Sequence, residues 1–236
     1  MPAPVARAYR DLVTTSIADI AGDRIERRHI LGRNMALAML ASGAFAENAT
    51  QFVGIDADGE AVLSDVKNVR ILDMGHKMRV LDEIVATLGG DEPVVIWAHF
   101  RHEIDEIVRH LASLGIGGVS RVYGQIDDGP AQIKAFKDGT TRFFVGQPGS
   151  AGEGLNLQRA GHAIYFSRSY NPKDWNQSIG RLPRWGSTYP FVTLHLIMAR
   201  NTIDSHIDAS LRQKGKEARA LTRDDWLAVL RQQVAA

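Results

Sequence analysis

The chain has no cysteine, which excludes disulfides and thiolate zinc sites and fits a reducing compartment. It has no uninterrupted apolar run near the roughly 20 residues of a membrane span. Its first residues, MPAPVARAYRDL, lack the apolar core of a signal peptide, so the expected location is cytoplasmic. Charge is nearly balanced, with 28 Lys and Arg against 27 Asp and Glu, and net charge alone points to no partner. No internal repeat or low-complexity tract interrupts the 236 residues. No Walker-type G-x-x-x-x-G-K-[ST] loop occurs either.

What is present suits a folded domain. Hydrophobic content of 44% and charged content of 23% are ordinary for a globular chain that buries a sizeable core. From Lys77 onward, helical and strand patterns alternate. Helix 77–88 precedes strand 94–98, helix 102–114 precedes strand 119–123, and helix 130–137 precedes strand 142–146. Strand 163–166, helix 172–182 and strand 191–198 follow. This alternation predicts a parallel sheet covered by helices on both faces, an α/β fold.

The first third reads differently. Val5, Tyr9, Leu12, Val13, Ile17 and Ile20 predict one helical stripe over residues 3–20. A second helix is expected over 27–42, ended by Gly43, and a hairpin over Gln51–Ser64 turning at Asp56–Gly59. Two polar helices, 203–218 and 223–233, close the chain, with Asp204 and Lys216 expected to serve solubility. Residues 1–75 are thus an appendage with a β-hairpin, 76–200 the sheet domain, and 201–236 C-terminal helices.

Two segments carry chemistry. Gly146–Leu157, GQPGSAGEGLNL, lies between the apolar runs 142–145 and 163–166. A glycine loop at the carboxyl end of a strand is where an open parallel sheet binds ligands, and glycine leaves backbone N–H groups bare for phosphate. Asn171–Ser187, NPKDWNQSIGRLPRWGS, spaces Gln177, Arg181 and Arg184 by four and three. Residues so spaced share a helix face, and two forked guanidiniums beside Gly180 suit a polyphosphate. Asn171 is a good N-cap, Pro172 fits N1, and Asp174 favours the positive helix start. Pro183 should end or kink the helix near Arg181. Residues 159–184 carry five basic side chains against Asp174 alone. Trp97 reads as core, and Trp175 and Trp185 can stack on a guanidinium or a base. His102-Glu103 lacks the second histidine of a zinc helix and reads as an amphipathic face, like Asp82-Glu83.

Ser150–Leu157 resembles motif V, and Gln177–Arg184 resembles the arginine-finger motif VI, of the Swi/Snf-like branch of superfamily 2 helicases. Val94–Phe100 sits where motif IV would be, and Tyr123-Gly124 resembles motif IVa. The resemblance covers roughly Lys77–Arg200. It implies a RecA-like second lobe, of a phage-type member whose first lobe, with the Walker loop and Asp-Glu box, is expected on another polypeptide. In the family, ATP with Mg2+ lies between two lobes, held mainly by the first. The resemblance then makes Arg181 and Arg184 the fingers and Gln177 a positioning group. Gly152, Glu153, Gly154, Asn156 and Gly180 would shape the ATP-side interface. Ser150 and Lys173 would meet the backbone of double-stranded DNA or another nucleic acid. The sequence departs from the family where Trp185-Gly186-Ser187 replaces Ile-Gly-Gln. A non-hydrolysing DNA- or protein-binding module on the same fold is the alternative.

Overall fold

The computed structural model describes residues 1–15, 17–20, 23–26, 30–55, 61–124, 126–149, 155–182 and 189–222. They divide into two compact units, Met1–Leu88 with Ile197–Ile203, and Gly89–Leu196 with Asp204–Ala236.

The first unit runs α1 (Ala3–Thr15), β1 (Ile17–Ile20), β2 (Asp23–Glu26), α2 (Ile30–Ser42), β3 (Ala44–Ile55), β4 (Ala61–Ile71) and α3 (Gly75–Thr87). Helix α1 buries Val5, Ala8, Tyr9 and Leu12, the three- and four-residue spacing of one helix face. The Tyr9 hydroxyl accepts from the Ile203 N–H at 2.6 Å. The single helix expected over 3–20 is corrected: it stops at Thr15, and Ile17–Ile20 is a strand paired antiparallel with β2. Thr15 Oγ1 donates back to the Asp11 carbonyl at 2.8 Å and accepts from the Ile17 N–H at 3.3 Å. That local competition for backbone groups turns the chain out of the helix.

Helix α2 ends at Gly43 as expected, where φ is +88°. The Gly43 carbonyl accepts from the N–H groups of Leu72 and Asp73, and a β-carbon there would lie 1.9 Å from the Asp73 oxygen. The hairpin is longer than the expected 51–64. Strands β3 and β4 pair from Ala44 opposite Ile71 to Ile55 opposite Ala61, with an irregularity between Phe52 and Gly54. Residues 27–29 and the turn at Asp56–Gly59 lie outside the described residues.

The second unit runs β5 (Val94–Trp97), α4 (Arg101–Leu114), β6 (Val119–Val122), α5 (Gly129–Lys137), β7 (Phe143–Gly146), β8 (His162–Tyr165), α6 (Pro172–Gly180), β9 (Thr193–Leu196) and α7 (Ile203–Thr222). Its five strands are parallel, in the order β6-β7-β5-β8-β9. Every residue of β5 and β7 is buried, which is why both read as unbroken apolar runs rather than alternations. Trp97 meets Phe144 edge-on at 5.8 Å, and Phe144 meets Phe136 at 5.6 Å. Ile104, Ile107 and Leu111 bring one face of α4 to zero exposure, each side chain contributing about 1.5–3 kcal/mol by burial. The α/β class and the parallel sheet agree with the sequence.

The connection order places a switch beside β5. The chain leaves β5 for β6 and β7 on one side, then returns to β8 on the other. In open sheets, ligand crevices lie at the carboxyl ends of strands around such a point. One residue departs from expectation. Asp204 is buried rather than solvated, and residues 223–233 lie outside the described residues. No helix among the described residues is long and apolar enough to cross a membrane.

Candidate nucleotide-facing site

The carboxyl ends of β5, β7 and β8 are tied together by backbone bonds. The Ala98 N–H donates to the Gly146 carbonyl at 3.0 Å and the Phe166 N–H to the Trp97 carbonyl at 2.8 Å. Gly146 is required there: a β-carbon would lie 2.8 Å from the Val122 oxygen. Side chains complete the frame. Ser167 Oγ accepts from the His99 N–H at 2.8 Å and donates to the Glu103 carboxylate. The same carboxylate accepts from the Phe100 N–H at 3.1 Å, and Gln147 Nε2 donates to the His99 carbonyl at 2.7 Å. Glu103 is therefore not the solvated helix face read from its spacing. It is fully buried and satisfies a donor at the start of α4. Burial, opposed by the charges of Glu103 and Asp174, lowers the His99 pKa and keeps that ring neutral.

Helix α6 begins as its sequence requires. The Asn171 side chain accepts from the Lys173 N–H at 3.0 Å, Pro172 fills the first turn, and Asp174 sits in that turn. Ser169 Oγ donates to Asp174 at 3.0 Å and accepts from the Asn171 N–H. The helix is held down by Ser178, fully buried, whose hydroxyl donates to the Trp175 carbonyl at 2.8 Å. Ser178 has one proton to give, so the Tyr165 hydroxyl, 2.8 Å away, is the donor in that pair. Burial pushes the Tyr165 pKa up to about 12, against the charge of Arg168, which acts the other way. The Trp175 ring tilts over Tyr165 at 4.8 Å, and the Arg168 guanidinium lies 5.4 Å from Trp175. Arg168 also pairs with Asp208 of α7 at 2.9 Å, and the second Asp208 oxygen takes Arg212 at 2.7 Å.

Arg181 closes α6, as Pro183 implied, and is the junction of the site. Its Nη1 donates to the Pro148 carbonyl at 2.8 Å, and its guanidinium lies over the Trp97 ring at 6.0 Å. Its own carbonyl accepts from the Leu157 N–H at 3.0 Å. One residue thus bonds to the glycine segment at two points, Pro148 and Leu157. Only 7% of Arg181 is exposed, far less than its place on a charged helix face suggested.

The other sequence-nominated residues sit as follows. Gln177 is half-buried, one turn before Arg181, and Lys173 is exposed. Gly180 is exposed, and a β-carbon there would meet nothing among the described residues. Asn156 Oδ1 accepts from the Gln158 N–H at 3.0 Å, turning the chain toward β8. Ser150, Gly152, Glu153, Gly154 and Arg184 lie outside the described residues, as does Trp185. A cleft beside α6 is lined by His99, Pro148, Tyr165, Arg168, Asp174 and Trp175, among others. Sequence reasoning missed the Glu103–Ser167 pair and the Arg168–Asp208 pair. The glutamate three residues after Phe100, at the start of a helix, was the one legible signal.

Residues 76–186 match the helicase conserved C-terminal domain. The chain is 25% identical over 188 residues to the uncharacterized ATP-dependent helicase YqhH of Bacillus subtilis, covering 80% of this chain and 33% of that protein. It is 26% identical over 160 residues to the pre-mRNA-splicing ATP-dependent RNA helicase PRP28 of Cryptococcus neoformans, covering 67% of this chain and 21% of that one. Among solved structures, the C-terminal part of the Fun30 ATPase domain aligns with a TM-score of 0.51 and 26% identity, over 57% of this chain and 45% of that one. The chain therefore spans a third or less of the length of these curated relatives. The family match and the solved structure both liken this part of the chain to the C-terminal domain of helicases, and the parallel sheet has the RecA-like fold.

Proposed function

We propose that this chain supplies the second lobe of an ATP-dependent translocase of the Swi/Snf-like, phage-related kind. The observation that carries the reading is Arg181, fixed between Trp97, Pro148 and Leu157. A guanidinium held at the switch point of a parallel sheet presents fixed positive charge where a polyphosphate can be met.

ATP would be bound by a first lobe carrying the Walker loop, supplied by another polypeptide, and would face α6. As charge develops on the transferring phosphoryl group, Arg181 and Arg184 would stabilise it, an effect of about 10³–10⁵ in kcat for arginine fingers. Gln177 would orient the phosphate or the attacking water. Gly152, Glu153, Gly154, Asn156 and Gly180 would line the approach of the first lobe. Among the described residues no group of three His, Asp or Glu is gathered to hold a metal, and we assign Mg2+ to the first lobe. Ser150 and Lys173 would meet the phosphates of double-stranded DNA, a contact that is sequence-independent and weakened by salt. Host or bacterial cytoplasm is the setting we propose.

The test is ATP hydrolysis by this chain, alone and mixed with a first-lobe polypeptide, with and without duplex DNA or RNA. Turnover only in the mixture, stimulated by DNA, supports the reading. Turnover by the chain alone overturns it. Silence in both with salt-sensitive DNA binding retained indicates a non-hydrolysing binding module, and stimulation by RNA alone transfers the reading to RNA.

A further inference from the structure

A second group of chemistry-bearing side chains lies at the far edge of the sheet, on β8 and β9. His162 opens β8, and His195 is the third residue of β9. The strands are parallel, with His162 opposite Thr193 and Ile164 opposite His195. The period of two puts both imidazoles on one face of the sheet. His162 Nδ1 lies 3.1 Å from His195 Nε2, with ring centroids 5.4 Å apart and planes inclined at 28°. The opposite nitrogen of His162, Nε2, faces Glu92 Oε2 at 3.7 Å. That carboxylate is itself fixed by the Gly89 N–H at 3.1 Å.

We propose that His162 and His195 form a two-histidine chelate for a first-row transition-metal dication, Zn2+ or Cu2+, with Glu92 orienting His162 from behind. Neutral imidazole suits these ions better than Mg2+ or Ca2+, which prefer oxygen. Two metal–nitrogen bonds of about 2.0–2.1 Å at angles of about 90–110° hold their nitrogens roughly 2.9–3.4 Å apart. The observed 3.1 Å falls inside that range, so binding needs ring rotation rather than movement of the strands. Glu92, 3.7 Å from the far nitrogen of His162, stands on the side from which a carboxylate can orient a ligating histidine. Water would complete the coordination, because no third histidine or carboxylate joins the pair among the described residues. A bound ion would staple edge strand β9 to β8.

The test is titration of the full chain with Zn2+ by calorimetry and with Cu2+ by electron paramagnetic resonance, near pH 7.5. One equivalent bound, with two ring nitrogens on Cu2+, is the expected result. His162→Ala and His195→Ala should each weaken binding at least tenfold, Glu92→Gln less, and His206→Ala, an exposed histidine of α7, not at all. Circular dichroism checks that the variants fold. Should His195→Ala fail to fold, selective broadening of the His162 and His195 ring resonances by Cu2+ in the unaltered chain gives the same answer. Equal affinity in all variants, or broadening spread over every exposed histidine, would show an adventitious ion only and overturn the proposal. No binding by the unaltered chain would show the pair to be a plain imidazole–imidazole hydrogen bond.

Discussion

The Arg181 guanidinium donates to the Pro148 carbonyl at 2.8 Å while the Arg181 carbonyl accepts from the Leu157 N–H at 3.0 Å. The side chain proposed to act on phosphate is thereby also part of the frame that sets the ends of the glycine segment. Its replacement should therefore be felt twice.

Arg181→Ala leaves the Pro148 carbonyl without this donor and removes the cation over Trp97, which should cost about 1–3 kcal/mol of stability. In a two-lobed enzyme it should also lower kcat by about 10³-fold or more. Arg181→Lys should recover part of the stability and little of kcat, because one ammonium cannot reproduce the fork. Urea unfolding beside single-turnover hydrolysis separates the two effects. Unchanged kcat with lowered stability would leave Arg181 a framework residue alone.

The Arg168–Asp208 pair gives an acid-side prediction. Burial would raise the Asp208 pKa, but the bond and charge of Arg168, and then those of Arg212, outweigh it and hold the carboxyl below its ordinary value. A depressed folded value means that the stabilisation is present above about pH 4 and is lost as pH falls through the folded pKa. Asp208→Asn should cost about 1.5–3 kcal/mol at neutral pH and flatten the acid limb of the stability profile. The Arg168 side chain is only 8% exposed, so it loses its partner with little water to replace it. Denaturant midpoints between pH 3 and 7 for the two proteins check this.

Tyr165 makes the opposite, alkaline prediction. Its pKa is raised to about 12 from 10.0, so its contribution is complete below pH 10 and is lost as pH rises toward 12. Ultraviolet titration should show Tyr165 ionising well above the ordinary tyrosine range. Tyr165→Phe should abolish that late phase and cost about 1 kcal/mol, one hydrogen bond to Ser178. A late phase that survives the substitution would assign it to another tyrosine.

Gly43→Ala should be among the most damaging single changes in the first unit. The position needs φ of +88°, and the added carbon would lie 1.9 Å from the Asp73 backbone oxygen, which no rotamer can relieve. Gly180→Ala is the control: its β-carbon meets nothing among the described residues. Thermal unfolding should show a large fall for the first and a small change for the second. A marked loss of activity in a two-lobed assembly with Gly180→Ala would point to close approach by another lobe.

Much of this protein was legible in the order of its residues. Unbroken apolar runs at Val94–Trp97 and Phe143–Gly146 announced strands buried on both faces, because a central parallel strand has no polar side to show. Asn171, Pro172 and Asp174 set the start of α6, and Pro183 its end, because caps and proline act within one turn. The helix overrun past Thr15 arose where local bonding of a threonine hydroxyl competed with an apolar period that ran on unbroken. Glu103, Arg168, His162 and His195 were beyond local pattern. A charged residue on a helix face reads as solvated until the chain brings Ser167 to it across 64 positions, or Asp208 to Arg168 across 40. Local preferences are decided by neighbours in sequence, whereas burial, pairing and pKa depend on neighbours in space. Only the assembled sheet, in which the chain crosses from β7 to β8 on the other side of β5, brought Arg181, Trp97 and Pro148 into one place.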